Sequence, residues 1–196
     1  MSIVLVGSTS GSITLQEPAV AGTTVLTLPA VTGTVLTDTS PKAGNVIQVV
    51  STAKTDTFTT TSTSFTDITG LSVSITPTSS SSNILVLVQI GMLSVNGTNR
   101  SGLRMVRGST AIDVGATAGS RTLATTAFST GGVDIASQSA GMVFLDSPAT
   151  TSATTYKVQG IISGGDTLYI NRNSTDTDSS TFFRTASTIT VMEIAA

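Results

Sequence analysis

Beyond residue 45, apolar and polar residues alternate with a period of two through much of the chain. In Leu71-Ser72-Val73-Ser74-Ile75-Thr76 the apolar residues Leu71, Val73 and Ile75 share one face and the hydroxyl residues the other, as in a strand buried on one side only. Pro77 follows and ends the strand, because proline has no N–H to give to a ladder. Ile84-Leu85-Val86-Leu87-Val88 is apolar on both faces, which predicts a central strand covered on both sides, by a second sheet or by another subunit. Arg104–Arg107, Gly108-Ser109 and Thr110–Ile112 predict a hairpin whose two-residue turn uses the positive φ open to glycine. Further strands are predicted at Asn45–Thr52, Thr122–Phe128, Gly141–Asp146, Thr154–Ile162, Thr167–Asn171 and Ser187–Ile194. No segment carries a helical period.

Residue types agree with this pattern. Thr, Val and Ile are stiff at the first side-chain torsion and suit a pleated surface, while Glu, Lys, Gln and Arg, which favour helices, are scarce. Many short strands divided by Gly, Ser, Asn and Asp clusters predict an all-β fold, an antiparallel sandwich of jelly-roll type over residues 46–196.

The first 40 residues differ. Pro18-Ala19-Val20-Ala21-Gly22-Thr23-Thr24-Val25-Leu26-Thr27 is echoed by Pro29-Ala30-Val31-Thr32-Gly33-Thr34-Val35-Leu36-Thr37. Two such short copies cannot bury a core alone. They read either as hairpin strands at the edge of the main domain or as an extended arm that orders by adding strands to other chains. The polar stretch from Asp38 to Asn45, with Pro41 and Gly44 in it, reads as the connection, and residues 41–45 as its linker.

Chemistry narrows the function by what is missing. The 196 residues include 66 Ser or Thr but no Cys, His or Trp. Disulfides, Cys- or His-based zinc sites and His-dependent nucleophiles are therefore excluded. A net charge of −2 with 10% charged residues offers no basic footprint for nucleic acid. The apolar runs are too short for a spanning helix, and Met1–Gly7 has no basic segment of a secretory signal. No cofactor or metal is expected. Asp176-Thr177-Asp178-Ser179-Ser180 has alternating oxygen ligands, but Thr181 and Ser187 occupy the positions where a calcium loop needs Gly and an acid. A solvated turn fits it better. Asp113, Asp134, Asp146 and Asp166 are the acids that a glycosidase pair would draw on, yet with 4% aromatics there is little for sugar rings to stack on, and no catalytic residue is assigned. Arg100, Arg104, Arg107 and Arg121 form the main basic concentration. Residues 104 and 107 have opposite strand parity, so the four do not share one face; solvated edges or intersubunit ion pairs are the default, an anion or sugar site the minority reading.

The stretch Gly11-Ser12-Ile13-Thr14-Leu15-Gln16-Glu17-Pro18-Ala19-Val20-Ala21-Gly22 through Ala30 resembles an N-terminal module of virion proteins of tailed phages, notably those of cyanobacteria. Thr57-Phe58 and Ser64–Pro77 resemble the opening, and Arg184–Ile194 the last strand, of a β domain in phage tail-fibre and capsid-decorating proteins. The resemblance implies a homotrimeric, non-enzymatic virion component, made in the host cytoplasm and carried on the particle surface, with other tail or capsid proteins as partners. A short tail fibre or fibre-associated protein is favoured; a capsid-decorating protein and, further off, a polysaccharide depolymerase are the alternatives. On this reading Ile13, Leu15, Val25, Leu26, Leu28, Val35 and Leu36 anchor the chain to the particle, and Ile84, Val86, Val88, Arg104 and Arg107 lie at the subunit interface. Loops Val95–Ser101 and Ser174–Thr181 are the places where a host surface glycan would be touched. Nucleic acid and membrane insertion are not expected.

Overall fold

The computed structural model describes residues 3–6, 12–15, 42–129 and 137–196. Among these there is no helix; every regular element is a β-strand and every pairing is antiparallel. The chain divides into Met1–Val35 and Leu36–Ala196. In the first unit β1 (Ile3–Val6) pairs with β2 (Ser12–Leu15), Ile3 opposite Leu15 and Leu5 opposite Ile13. Val25, Leu26, Leu28, Val35 and Leu36 lie outside the described residues.

The second unit contains β3 (Val46–Lys54), β4 (Phe58–Thr60), β5 (Thr66–Ile75), β6 (Asn83–Asn96), β7 (Ser101–Arg107), β8 (Thr110–Ile112), β9 (Thr126–Phe128), β10 (Gln138–Asp146), β11 (Thr154–Ile162), β12 (Thr167–Ile170) and β13 (Ser187–Ile194). Lys42–Asn45 belongs to this unit: Gly44, at φ 87°, donates its N–H to Ala195 O, and Ala195 returns one to Asn45 O. The first sheet runs β3-β13-β6-β10. The second runs β5-β11-β7, with β8 and β9 sharing the far edge of β7.

β6 organises the first sheet because it is long enough to serve several partners. Its first half lies between β13 and β10, and beyond Gly91 its β13-side edge is taken over by β12, which carries β4. Gly91 marks the changeover. A Cβ there would collide with the Ala186 carbonyl oxygen, so only glycine admits the segment that crosses the gap.

Alternation decides what is inside. Leu71, Val73 and Ile75 from β5, Ile84, Val86 and Val88 from β6, and Ile189 and Val191 from β13 meet Leu103, Met105, Tyr156 and Val158 in one core between the sheets. Burying each such side chain stabilises by roughly 1.5–3 kcal/mol. The hairpin of β7 and β8 has the expected register, Arg107 opposite Thr110, around Gly108 at φ 58°. The strand expected from Thr122 begins only at Thr126. Before it, Thr125 sends its N–H to Leu103 O while its hydroxyl accepts from Met105 N–H, so a side chain replaces a ladder bond.

Candidate functional site

The outer face of the first sheet is built by the parity that the core leaves over. Register places Val49, Met192, Leu85 and Leu145 side by side across β3, β13, β6 and β10. The next row is Ser51, Thr190, Leu87 and Val143. Val46 and Ile194 pair beyond the first row. None of these residues is charged, yet Val143 is 62% exposed, Val49 54% and Leu145 53%. Four strands about 4.8 Å apart, crossed by rows about 7 Å apart, make this a face of roughly 300–400 Å². A patch of that size, interrupted in its second row by Ser51 and Thr190, is of the order of the largest apolar patch on a typical monomer, and such patches are often functional.

This parity corrects the interface reading for β6. Ile84, Val86 and Val88 are buried in the chain's own core, so they have no surface to offer a neighbour; Leu85 and Leu87 are the β6 residues on the outer face. The two arginines are also engaged within the chain. Arg107 Nη1 donates to both carboxylate oxygens of Asp146, at 2.8 and 2.9 Å. Arg104 stacks 3.9 Å over the Phe65 ring and donates to Gln159 Oε1. Beside it, Lys157 and Gln159 both donate to Asp67, which holds that carboxyl below its usual range.

Two buried polar clusters hold the sheets together. Asp146, at the end of β10, accepts from Arg107 on β7 and from the Tyr156 phenol on β11 at 2.6 Å. Burial, then the Asp146 carboxylate, pushes that phenol well above its ordinary value. Glu193 lies on the inner parity of β13 and is fully buried. Its Oε1 accepts from the Thr78 N–H and hydroxyl, and its Oε2 from Gln48 Nε2. Desolvation pushes its pKa up, but the hydrogen bonds from Gln48 and Thr78 outweigh it and hold it below the usual value. Sequence reading passed over Glu193, although its parity with Ser187, Ile189 and Val191 was the signal.

The loops form structured contacts of their own. Gly97 takes φ 107° over Asp166, whose Oδ2 accepts from Asn99 N–H. Asp176 is bracketed by Arg172 and Arg184 at 3.3 and 2.7 Å, so ion pairs occupy the acid that a calcium loop would have used. Among the described residues no group of three acidic side chains converges on a metal position. Asp146 sits opposite Ile84 and Asp166 precedes Thr167, which is opposite Asn96; these are the two ends of β6, roughly 40 Å apart along the strand. A glycosidase pair needs carboxyls about 5–10 Å apart. Asp134 lies outside the described residues.

Near the β6–β7 loop, the outer face of the second sheet carries a groove of about 490 Å³ whose lining includes Arg100, Arg121 and Ser163. No protein-family model matches the chain, and no curated protein is significantly similar to it.

Proposed function

We propose that the chain is a non-enzymatic structural protein of a tailed-phage particle, a jelly roll that forms a homotrimer and joins the particle through its first 40 residues, as a short tail fibre or fibre-associated protein. The observation that carries self-association is the uncharged apolar face of Val49, Met192, Leu85, Leu145, Leu87 and Val143. A soluble chain gains by covering such a face, at roughly 25 cal/mol per Å² of apolar area, and the surrounding Ser and Thr supply a polar rim.

Strand order supports the jelly roll. With β4, β8 and β12 set aside, β3, β5, β6 and β7 pair with β13, β11, β10 and β9 in turn. That is one long antiparallel ribbon folded over itself, giving the orders β3-β13-β6-β10 and β5-β11-β7-β9. The threefold stoichiometry and the particle rest on the resemblance of residues 11–30, 57–77 and 184–194 to phage virion proteins.

Light scattering on the purified chain tests the assembly; the expected mass is three times 19.8 kDa. A monomer at every concentration would overturn it. Imaging particles with a label on this chain separates tail from head, and absence of the label from all particles would remove the virion reading.

A further inference from the structure

We propose that the groove beside the β6–β7 loop binds an acidic sugar residue, with its carboxylate held between Arg100 and Arg121. This gives the particle component a ligand of defined chemistry, and it rests on that reading only for its biological setting, since binding belongs to the single chain.

Charge distribution is the first argument. Four of the six arginines already face an acid: Arg107 is on Asp146, Arg172 and Arg184 are on Asp176, and Arg104 lies in the field of Asp67. Arg100 and Arg121 have no carboxylate partner among the described residues, and both line one groove. Arg121 uses Nη1 on the Ala118 carbonyl at 3.1 Å, which steadies the guanidinium and leaves its other N–H groups for a ligand. Two guanidiniums matched to one carboxylate make short charge-assisted hydrogen bonds.

The remaining lining points to a sugar rather than a bare anion. Thr63, Thr122 and Ser163 contribute hydroxyls, while Ala124 and Ile161 contribute apolar surface. Gly102 keeps the floor low: a Cβ there would stand 3.3 Å from both Ala124 Cβ and Ile161 Cγ2. A volume near 490 Å³ falls in the range of small-ligand sites and holds more than a single small ion. The ring's hydroxyls meet the Ser and Thr side chains, and its C–H face meets the apolar floor. A long polyanion is a poorer match, because only two cations are present and no basic track continues from them.

The test is calorimetric titration of the full chain with a disaccharide of glucuronic acid, its neutral carboxyl-reduced counterpart, and sodium sulfate. The uronate is expected to bind at least about tenfold more tightly than the neutral sugar. Arg100→Ala and Arg121→Ala should each weaken it by about tenfold or more, and Arg121→Lys by severalfold, since the charge stays but the fork is lost. Both arginines are exposed, and unchanged melting temperatures verify the fold. No uronate binding by the wild-type chain would overturn the proposal. So would equal affinity for the neutral sugar, or sulfate binding that matches the uronate. Light scattering on the same samples keeps the two readings apart: a trimer without uronate binding rejects only the sugar site, and a monomer that binds uronate rejects only the assembly.

Discussion

The phenol of Tyr156 on β11 donates to Asp146 Oδ2 on β10 at 2.6 Å, joining the two sheets where both residues are buried. Asp146 also receives Arg107 Nη1, so its charge is balanced by one cation and one neutral donor. Tyr156→Phe removes the donor and leaves a buried carboxylate oxygen short of a partner. The expected loss is about 1–3 kcal/mol in urea unfolding. Asp146→Ala should cost more, about 3–5 kcal/mol, because Arg107 then loses its counter-charge at a largely buried site.

Glu193 makes stability depend on acid. Its folded pKa lies below the ordinary 4.5, because the bonds from Gln48 and Thr78 outweigh desolvation. A depressed carboxyl contributes stability that is fully present above the unfolded value and is lost as pH falls through the folded one. Urea midpoints should therefore be flat near pH 7 and fall below about pH 4.5. In Glu193→Gln, unfolding measured over the same range should show a shallower fall. An unchanged slope would assign the acid sensitivity to Asp67 instead, whose carboxyl is lowered by Lys157 and Gln159.

Asn171 stands at a crossing of three segments. Its backbone takes φ 64°, its amide donates to Lys54 O and Asp56 O at 3.0 and 2.9 Å, and its Oδ1 accepts from Ser187 Oγ at 2.6 Å. Two substitutions separate the contributions. Asn171→Gly keeps the left-handed backbone and loses the bonds, with an expected cost of about 2–3 kcal/mol. Asn171→Ala loses the same bonds and keeps a Cβ at positive φ, a region alanine tolerates less well than asparagine, so it should cost about 1 kcal/mol more than the glycine variant. Thermal or urea unfolding of the pair measures the difference directly.

What was legible in the chain was whatever depends on neighbouring residues. The alternation at Leu71, Val73 and Ile75 marks β5, and the Gly108-Ser109 turn marks the β7–β8 hairpin, because strand parity and turn geometry are local. The side of β6 that would be buried was not legible, since Ile84–Val88 is apolar on both parities and only the pairing with β13 and β10 assigns it. The basic concentration of Arg100, Arg104, Arg107 and Arg121 was legible, but which two of the four line one groove was not, since Arg104 and Arg107 are engaged within the chain while Arg121 reaches the groove from the connection between β8 and β9. Tyr156 and Asp146 carry no sequence signal of their contact, which belongs to the packing of two sheets.

The two parities of β6 give the sharpest test of assembly. Val86 is fully buried in the core, while its neighbour Leu87 lies on the outer face beside Val143 and Thr190. The two residues differ little in chemistry, so any difference between their lysine variants reports position. Val86→Lys places an unpaired ammonium in the interior and should abolish cooperative unfolding or lower stability by about 4–5 kcal/mol or more. Leu87→Lys leaves the ammonium in water in the isolated chain, and the fold should survive with a loss of about 1 kcal/mol or less. In an assembled particle protein the same lysine meets the apolar face of a neighbouring copy, where an unpaired charge is strongly disfavoured. Light scattering should therefore find Leu87→Lys folded but monomeric, and Val143→Glu should do the same from the neighbouring strand. If both variants stay trimeric, the outer face of this sheet is not where the copies meet.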